Sequence, residues 1–394
     1  MRVSVPLAGR AHEMAQEEIQ KQVAYLSPEI RNVRFDAEGT VLVCDVPDAK
    51  AERLTADVRV LADRMQRSLR RLERKVVFRS RAADRRTFRG TGAPDGLHVL
   101  GRGQVALTGL PLALFSYFDR LFTELGEPWR AQPVRTPTLI PTQVLARCDY
   151  FRSFPQNVTF AGHLREDLEV IDGFRARHHD RDDLDDRALA DMTTPEACLS
   201  PAVCYHIYHL HQDRVIPAAG TAHGVCGSCF RYESINISDL RRLWDFTMRE
   251  IVFMGTRDDV LRRRSAAIQQ VAELLDSHDL AGEIRTASDP FFVAPDAAAK
   301  TYFQLSSETK YEISLHLPGD ERVAVGSFNY HHDFFGRAFG ITVEGAGPMH
   351  SVCVAFGLER WVHAFLAQHG HDPQQWPAPL RRAPELAAAM TTPC

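Results

Sequence analysis

The stretch that most constrains the fold of this 394-residue chain runs from residue 229 to residue 255, CFRYESINISDLRRLWDFTMREIVFMG. Apolar and polar residues alternate on both sides of a polar turn at 234–239, which is the period of a half-buried β-hairpin. Alternate side chains of a strand point to the same face of the sheet. The side chains predicted to share a face are Arg231 with Glu233 and, on the second strand, Phe246, Met248 and Glu250. The sequence therefore predicts a sheet that presents an arginine, two carboxylates and an aromatic ring together.

A second pattern lies near the C-terminus. Residues 352–356 are apolar and predict a strand, and residues 358–368 have the spacing of an amphipathic helix. The junction between them is AFGLER, residues 355–360, which places Arg360 in the first turn of the helix.

The two patterns together resemble the class II aminoacyl-tRNA synthetases. Arg231-x-Glu233, a loop, and then Arg242-xxx-Phe246-xxx-Glu250 are similar to motif 2 of that class, and AFGLER is similar to motif 3, which carries an ATP-binding arginine. The phrases CDYFRSFPQ, DFTMREIVFMG and CVAFGLERW resemble the atypical, zinc-dependent seryl-tRNA synthetases and, more closely, the bacterial amino acid:[carrier protein] ligases. The resemblance covers roughly residues 95–394. It implies an α+β fold with an antiparallel sheet flanked by helices.

The first ninety or so residues lie outside this resemblance. We predict a small α+β accessory domain at 1–90, a Gly-rich boundary at 94–103 and a catalytic domain at 91–394. The elements predicted for the accessory domain are a helix at 8–25, strands at 33–35 and 41–44, and a helix from about 49 to 75.

The catalytic region is predicted to alternate strands and helices. The predicted strands lie at 202–210, near 284, and at 302–305, 311–317 and 324–328, and further helices lie at 110–125 and 256–278. The helix at 110–125 and the extended chain to Pro141 resemble motif 1, which implies a homodimer interface, although its apolar face equally suits a monomer core. The charged segment 163–197 is predicted to form peripheral helices and a mobile connection.

Three side chains on three predicted strands are candidate metal ligands: Cys204, Glu250 and Cys353. Each occupies a position at which the zinc-dependent branch of the resembled family places a ligand. Two thiolates and one carboxylate leave the fourth position of a zinc ion open, as in catalytic sites. The resemblance implies that zinc there holds the α-amino group of an amino acid, whereas without it buried cysteines are usually core residues.

Other cysteine and histidine patterns receive less support. Cys226 and Cys229 have the spacing of a zinc or redox pair. No second pair lies at ribbon spacing and no βαβ pattern surrounds them, so we predict that both are structural thiols. Two histidine groups are also weak candidates for a metal site. Strand alternation would scatter His206, His209 and His211 over two faces of a strand. Residues 178–180 lie in a polar, loop-like segment.

The resemblance assigns the nucleotide contacts. Adenylation needs a cation where charge develops on the α-phosphate. Arg231 is implied to supply it, Arg242 to make a second phosphate contact, and Glu233 to read the adenine amino group. Phe246 is implied to stack under the adenine, and Arg360 over it, near the γ-phosphate. Each of these residues would otherwise be read as part of a surface ion pair or apolar face.

Three further residues complete the predicted site. Glu312, in KYEI, resembles the carboxylate that holds magnesium and ATP in the seryl-tRNA synthetases. Ser327 and Asn329 lie on the strand before motif 3, where the resembled enzymes contact the small substrate, so we expect them to line the amino-acid pocket. Otherwise they are a polar strand edge.

Composition narrows the class of protein. The formal net charge of −4 argues against a chain built mainly to bind nucleic acid. No apolar run of about 18 residues occurs, so no transmembrane helix is expected. The N-terminus becomes charged too soon for a signal peptide, and eight cysteines in such a chain indicate cytoplasmic thiols or metal ligands.

A run of basic residues between Arg64 and Arg89 has two interpretations. It predicts either a solvated helix face with a linker, or a docking patch for an acidic partner such as RNA or a carrier protein.

The combined prediction is an ATP-dependent ligase. It would use magnesium and ATP to convert a small amino acid, glycine or alanine being favoured, to its aminoacyl-adenylate while zinc holds the amine. The acyl group would then pass to the phosphopantetheine thiol of a carrier protein, with tRNA not expected as acceptor. The alternatives are a zinc-dependent aminoacyl-tRNA synthetase of seryl type and an inactive paralogue that serves as a binding subunit.

Overall fold

The computed structural model describes residues 1–24, 26–27, 29–69, 74–85, 87–90, 95–233, 237, 240–289 and 297–386. The strands are β1 Arg2–Pro6, β2 Arg31–Phe35, β3 Val41–Asp45, β4 Val76–Arg79, β5 Leu97–Gly101, β6 Gln104–Leu107, β7 Gln132–Val134, β8 Leu139–Pro141, β9 Phe160–Ala161, β10 Ala197–Leu199, β11 Val215–Ile216, β12 Thr221–Phe230, β13 Asp245–Gly255, β14 Gly282–Thr286, β15 Lys310–His316, β16 Arg322–Tyr330, β17 Thr342–Val343, β18 Gly347–Pro348 and β19 His350–Gly357. The helices are α1 Glu13–Val23, α2 Ala51–Leu69, α3 Gly109–Glu124, α4 Thr142–Arg147, α5 Tyr150–Ser153, α6 Leu168–His178, α7 Cys204–Leu210, α8 Arg257–Ser277, α9 Ala297–Ser306, α10 Phe334–Ala338, α11 Leu358–His369 and α12 Ala378–Arg381.

An eight-stranded sheet organises the molecule, in the order β4-β14-β15-β16-β19-β13-β12-β7. Neighbouring strands are antiparallel except at one edge, where β7 pairs with β12 in parallel. The predicted hairpin forms its long β12–β13 arm, with Cys229 opposite Phe246. The α+β prediction of an antiparallel sheet flanked by helices is therefore confirmed.

The two faces of the sheet bury different side chains, because strand residues alternate. On one face, Ile251, Val354 and Phe356 pack in a core with α3, α8 and α11. Phe122 of α3 stacks on Phe356 with ring centroids 4.0 Å apart. On the other face, Val252 and its neighbours pack against α4, α7 and α10. The polar site described below lies on this second face.

The N-terminal elements form their own layer. Strands β1, β3 and β2 form a three-stranded sheet, and α1 and α2 bury an apolar core against it. Leu305 of α9 belongs to this core, and β4 pairs with β14 of the large sheet. The layer is thus connected to the rest of the protein through packing and through backbone hydrogen bonds.

Two predicted strands are wrong. Residues 204–210 form helix α7, with Cys204, Ile207 and Tyr208 buried on it. The segment AVCYHIYHL is apolar at both strand and helix spacing, so its periodicity does not separate the two states. Residues 302–305 lie in α9, which the preceding run of alanines favours.

Several other expectations change in detail. The predicted Gly-rich boundary at 94–103 contains a hairpin, since β5 pairs with β6. The hairpin turn at 234–239 lies mostly outside the described residues. Strand β12 ends at Phe230, so Arg231 and Glu233 lie in the non-strand segment that follows it and do not alternate on a strand. No helix among the described residues is long and apolar enough to cross a membrane.

Most described residues of the basic run between Arg64 and Arg89 form ion pairs or hydrogen bonds within the chain. Arg64 and Arg67 lie on α2, whereas Arg70, Arg71 and Arg86 lie outside the described residues. The remaining members pair as follows: Arg74 with Glu17, Lys75 with Glu308, Arg79 with Asp84, Arg81 with Asp276, Arg85 with Asp279, and Arg89 with Gln375. Most described members therefore make contacts within the chain, while Lys75, Arg79 and Arg81 stay exposed. The solvated-face and docking-patch interpretations both stay predictions.

Candidate active site

A row of side chains crosses the second face of the sheet. Residues directly opposite one another on paired strands share a face. The row consists of Arg285, Glu312, Ser327, Ala355, Glu250 and Val225, each opposite the next on strands β14 to β12. Six strands thus bring residues that are far apart in sequence into one line.

A cavity of about 920 Å³ opens over this face. It is large enough for a nucleotide, since small-molecule sites commonly span about 300 to 1,000 Å³. The predicted site residues that line it are Arg231, Glu233, Arg242, Phe246, Glu312, Ser327 and Arg360. Residues of both motifs and of the strands between them therefore meet at one cavity, as the sequence predicts.

Arg231 is positioned from two sides. Its Nε donates to the backbone oxygen of Pro201 at 2.9 Å, and its guanidinium carbon lies 5.4 Å from the centroid of the Phe246 ring. A guanidinium over an aromatic face gains a cation–π attraction. The side chain is half-buried, so its charge is directed into the cavity with little freedom to rotate.

Glu233, Arg242 and Arg360 lie close together. Arg242 donates to Glu233, and Arg360 donates from one terminal nitrogen to the oxygen of Ala324 at 2.9 Å. Arg360 lies in the first turn of α11, which begins directly after β19, so the strand-to-helix junction positions its side chain. The arrangement places two guanidinium groups and one carboxylate at the same cavity.

Glu312 belongs to a buried charged group that the sequence did not single out. Lys310 Nζ lies 2.6 Å from Asp289 and 3.3 Å from Glu312. Burial raises the pKa of Glu312, but the Lys310 ammonium, with Lys21 and Arg74, holds it below its ordinary value. The same balance of burial against Lys310 lowers the pKa of Asp289. Both carboxylates are therefore anionic at neutral pH and able to hold a cation.

The two residues predicted to line the amino-acid pocket lie in different surroundings. Ser327 lines the cavity, whereas Asn329 does not and instead donates from Nδ2 to Ser327 Oγ at 2.9 Å. Asn329 lies opposite both Lys310 and Cys353. It therefore connects the floor of the cavity to the cysteine cluster described next.

The three predicted metal ligands come together. The sulfur atoms of Cys204 and Cys353 and a carboxylate oxygen of Glu250 lie within 4.8 Å of one another, and all three residues are buried. Cys353 Sγ donates to Glu250 Oε2 at 2.8 Å. Among the described residues, no other group of three such ligands is this close. The structure corrects one detail, since Cys204 approaches from helix α7 and not from a strand.

The donor set of this cluster fits zinc. Burial raises the pKa of Glu250 and raises that of Cys353 well above its ordinary value. For Cys204 the hydrogen bond with Cys353 lowers the pKa, but burial and the Glu250 carboxylate raise it. A divalent cation would stabilise all three anionic forms at once. Two thiolates and a carboxylate are also ligands that zinc accepts, with a fourth position left open.

The competing ligand groups do not assemble. Cys226 lies opposite Arg249 and packs with the core on the first face of the sheet, whereas Cys229 is buried in the core of the second face. A single ion cannot reach both sides of a strand. The histidines also separate: His206 is buried beside Ser200 Oγ, whereas His209 is exposed.

Sequence reasoning missed several residues at the cavity. Lys310 stands two positions before Glu312 on a strand, so alternation alone could have placed it on the same face. Nothing local marks Asp289. The side of α1 that lines the cavity is also unmarked, because it comes from residues almost 300 positions earlier. Its lining residues are Glu13, Glu17, Gln20, Lys21 and Ala24.

Comparison with known proteins agrees with this geometry. Amino acid--[acyl-carrier-protein] ligase 2 of Bradyrhizobium diazoefficiens is 34% identical over 251 residues, which are 63% of this chain and 73% of that protein. Ligase 1 of the same organism is 31% identical over 287 residues, which are 72% of this chain and 86% of that protein. No family model matches the chain.

The type-2 serine--tRNA ligases are also similar. That of Methanopyrus kandleri is 26% identical over 295 residues, which are 71% of this chain but only 56% of the relative, so the match spans little more than half of that longer protein. A crystal structure of the M. kandleri enzyme with Aquifex aeolicus tRNASec superposes with a TM-score of 0.68 at 22% identity, covering 96% of this chain and 76% of that one. The seryl-tRNA synthetase of Pyrococcus horikoshii complexed with ATP gives a TM-score of 0.52 at 15% identity, covering 71% and 57%. These structures establish the class II synthetase fold.

Proposed function

Because this chain belongs to the amino acid--[acyl-carrier-protein] ligase family, we propose that it activates an amino acid with ATP and transfers the acyl group to a carrier protein. One observation carries the proposal. Residues from two motifs about a hundred positions apart line a single nucleotide-sized cavity, next to a buried Cys–Glu–Cys cluster.

Each cavity residue has a chemical task in adenylate formation. The amino-acid carboxylate attacks the α-phosphorus of ATP, the bond to the β-phosphate oxygen breaks, and magnesium pyrophosphate leaves. Arg231 stabilises the negative charge that develops on the α-phosphate. Glu312 and Asp289 are anionic groups that can hold the magnesium ion of ATP. No side chain needs to act as a covalent nucleophile, so the rate comes from positioning and charge stabilisation.

The adenosine end of the nucleotide is assigned to motifs 2 and 3. Glu233 accepts from the adenine amino group, while Phe246 and Arg360 cover the two faces of the ring. Arg242, which pairs with Glu233, contacts a phosphate when the nucleotide is present. Ser327 contacts the amino acid, and Asn329 holds the Ser327 hydroxyl in place.

Cys204, Glu250 and Cys353 are proposed to hold one zinc ion. When bound, zinc would supply a Lewis acid that accepts the free α-amino group and so selects amino acids over other carboxylates. The cluster lies on the same sheet face as Ser327, with which Asn329 bonds directly. Placing the amine there directs the carboxylate toward the cavity and Arg231.

The acceptor is proposed to be the phosphopantetheine thiol of a carrier protein, since two relatives are named for an acyl-carrier protein. The thiol sulfur would attack the acyl carbon of the adenylate, the bond from that carbon to the phosphate oxygen would break, and AMP would leave. A small amino acid such as glycine or alanine is the proposed substrate. The competing acceptor is tRNA, because the similar M. kandleri enzyme is crystallised with one. Transfer to holo-carrier and not to tRNA is the expected result.

Three further features belong to the proposal. A homodimer through α3 is supported by exposed apolar residues near motif 1, Leu112 and Leu139. An accessory region at 1–90 is supported by its separate apolar core, although β4 already joins the large sheet. A cytoplasmic location is also proposed, because ATP and carrier proteins are both available there.

The decisive experiment is pyrophosphate exchange with each of the twenty amino acids. It is followed by acyl transfer to phosphopantetheinylated carrier proteins in parallel with total tRNA. We expect exchange with a small amino acid and thioester formation on a carrier. Charging of tRNA in place of the carrier would favour the synthetase alternative. A folded protein that supports exchange with no amino acid would favour a non-catalytic binding role.

A further inference from the structure

Helix α1 of the N-terminal layer forms one wall of the nucleotide cavity. Its lining residues recur at spacings of three and four, which places them on one side of the helix. The opposite side is apolar and packs in the N-terminal core, with Met14, Ile19 and Val23 buried. The side of α1 that faces the cavity is therefore set by the packing of the N-terminal layer.

A buried ionic network fixes α1 against the large sheet. Glu18 is fully buried and accepts from Ser288 Oγ at 2.5 Å. Arg74 donates to Glu17 at 2.6 Å and to the backbone oxygen of Thr286 at 2.8 Å. Side chains from α1, from the segment before β4 and from the β14 region thus share one set of contacts. This wall is part of the folded site and not a separate module resting on it.

The network places Lys21 beside the magnesium end of the cavity. Arg285 lies opposite Glu312 on the neighbouring strand, and its guanidinium is 3.6 Å from Glu17. Lys21 stands one helical turn beyond Glu17 and lines the same cavity. The lysine charge also contributes to the lowered pKa of Glu312, after the effects of burial and Lys310.

Lys21 keeps donors available for a ligand. Its Nζ lies 3.0 Å from Glu18 Oε1, and the side chain is 33% exposed. An ammonium has three donors, so one contact to Glu18 leaves two. The carboxylates on the same side of α1 are already engaged, since Glu17 pairs with Arg74 and Arg285. Lys21 is thus the cation that α1 presents to the cavity.

We propose that α1 completes the ATP site, with Lys21 donating to the β- and γ-phosphate oxygens of magnesium ATP. The inference rests on the proposed function, since it requires ATP in this cavity. Glu312 and Lys21 line the same cavity, and the Lys21 charge acts on Glu312. A triphosphate whose magnesium is held at Glu312 can therefore reach Lys21 with its last two phosphates. There Lys21 meets anionic oxygens, and charge-assisted hydrogen bonds to phosphate are among the stronger polar contacts. The N-terminal layer is therefore a component of the nucleotide site.

Comparing ATP with AMP isolates this contact, because AMP lacks the two phosphates that Lys21 would bind. Titration calorimetry with magnesium ATP and with AMP is run on the full chain, on Lys21→Met and on Lys21→Gln. The matched control is Lys50→Met, because Lys50 also pairs with a glutamate of the same layer, at 2.6 Å from Glu29, but lies outside the cavity. Thermal melts verify that each variant is folded, and the two uncharged variants give independent readings.

We expect both Lys21 variants to bind magnesium ATP about tenfold more weakly, the size of one lost charge-assisted contact, with AMP affinity unchanged. Lys21→Arg should retain most of the ATP affinity, and Lys50→Met should match the wild type. Equal loss for ATP and AMP, or no loss for either, would overturn the role of Lys21 and leave the proposed function standing. A wild-type protein that binds neither nucleotide would instead overturn the proposed function, and the inference with it.

Discussion

Single residues acquire their roles here from what the fold places beside them. Cys204, Glu250 and Cys353 are ordinary buried residues when taken one at a time, and burial favours the neutral form of each. Together they form a compact set of three donors within 4.8 Å. Three groups that are costly to ionise separately are thus the ones proposed to hold a divalent cation together.

The first prediction concerns these ligands. Purified protein should contain about one zinc ion per chain. Cys204→Ser should lose both the metal and amino-acid activation, because serine does not provide a thiolate. Elemental analysis beside pyrophosphate exchange measures the two losses together. Cys226→Ser is the matched control, since Cys226 packs on the other sheet face and should leave both readings unchanged. The reverse outcome would show that the ligand set is wrong.

The second prediction concerns Glu359, at the start of α11. Both of its carboxylate oxygens accept from the backbone nitrogen of Thr247 at 2.9 Å, and burial raises its pKa from 4.5 to about 7. The folded state therefore binds a proton more tightly than the unfolded chain. This contribution stabilises the fold at acidic pH and is lost as the pH rises from about 4.5 through 7.

Glu359→Gln removes this titration while keeping an acceptor for Thr247. Relative to the variant, the wild type should lose about 2 kcal/mol of unfolding free energy between pH 5 and pH 7. Urea unfolding of both proteins across this range measures the difference. Subtracting one protein's unfolding free energy from the other's also removes the opposing pH dependence that both share from buried histidines. One of these is His331, whose pKa burial lowers to about 4. A constant difference between wild type and Glu359→Gln across this pH range would contradict the prediction.

At the scale of elements, local pattern was reliable where one face of an element is solvated or differs in polarity from the other. The β12–β13 hairpin, α3, α8 and α11 were predicted within a few residues of their observed bounds. Helix α7 was mistaken for a strand because five of its seven residues are apolar or aromatic, and three of these five are buried. Elements that are buried all round carry no period that distinguishes helix from strand.

The third prediction tests how one helix is attached to the sheet. Arg249 on β13 makes two parallel hydrogen bonds to Asp119 on α3, Nε to Oδ1 at 2.8 Å and a terminal nitrogen to Oδ2 at 2.9 Å. Asp119→Ala should destabilise the protein by about 2 kcal/mol, since it leaves a largely buried guanidinium without this partner. A double-mutant cycle with Arg249→Ala should give a coupling energy above about 1 kcal/mol.

The exposed pair Arg53 and Asp57 on α2 is the control for this cycle. Its closest atoms are 3.8 Å apart, and the side chains are 84% and 47% exposed. Such pairs contribute about 0.3 to 0.5 kcal/mol, because water screens them. Equal coupling energies for the two pairs would mean that the bidentate contact does not anchor α3.

At the scale of the whole molecule, the N-terminal layer and the large sheet form a continuous structure. The connection runs through β4, through Leu305 in the N-terminal core and through Arg74. Most described basic residues between Lys75 and Arg89 pair with acidic or polar groups of the body. The basic residues of this segment therefore help to attach it to the rest of the protein.

The fourth prediction separates attachment from surface charge. Arg74 is only 10% exposed and pairs with Glu17 and Glu18, whereas Arg67 is exposed on α2. Arg74→Ala should lower the unfolding free energy by about 3 kcal/mol and expose the segment around it to protease, because two carboxylates lose their partner. Arg67→Ala should change stability by less than about 0.5 kcal/mol. Thermal melts with limited proteolysis measure both, and similar behaviour of the two variants would argue against the network.

The sequence by itself pointed to the proposed chemistry. Resemblance to the class II motifs implies Arg231, Glu233 and Arg360 at one nucleotide site, and strand alternation predicts Phe246 and Glu250 on one face of the sheet. These are properties of local backbone period and of residue type, which a sequence displays directly. The structure keeps Phe246 and Glu250 on one face of β13 and places Arg231, Glu233 and Arg360 at one cavity.

Only the tertiary structure decided which distant residues join them. The approach of Cys204 from a helix, the buried group of Lys310 with Asp289, and the α1 wall with Lys21 all depend on contacts between segments tens to hundreds of residues apart. Such contacts form when the packing of layers brings together segments that are far apart in sequence. The local periodicity of the sequence does not predict them. For the same reason Arg74 reads as part of a solvated charge run in sequence, although in the fold it pairs with Glu17 and the buried Glu18.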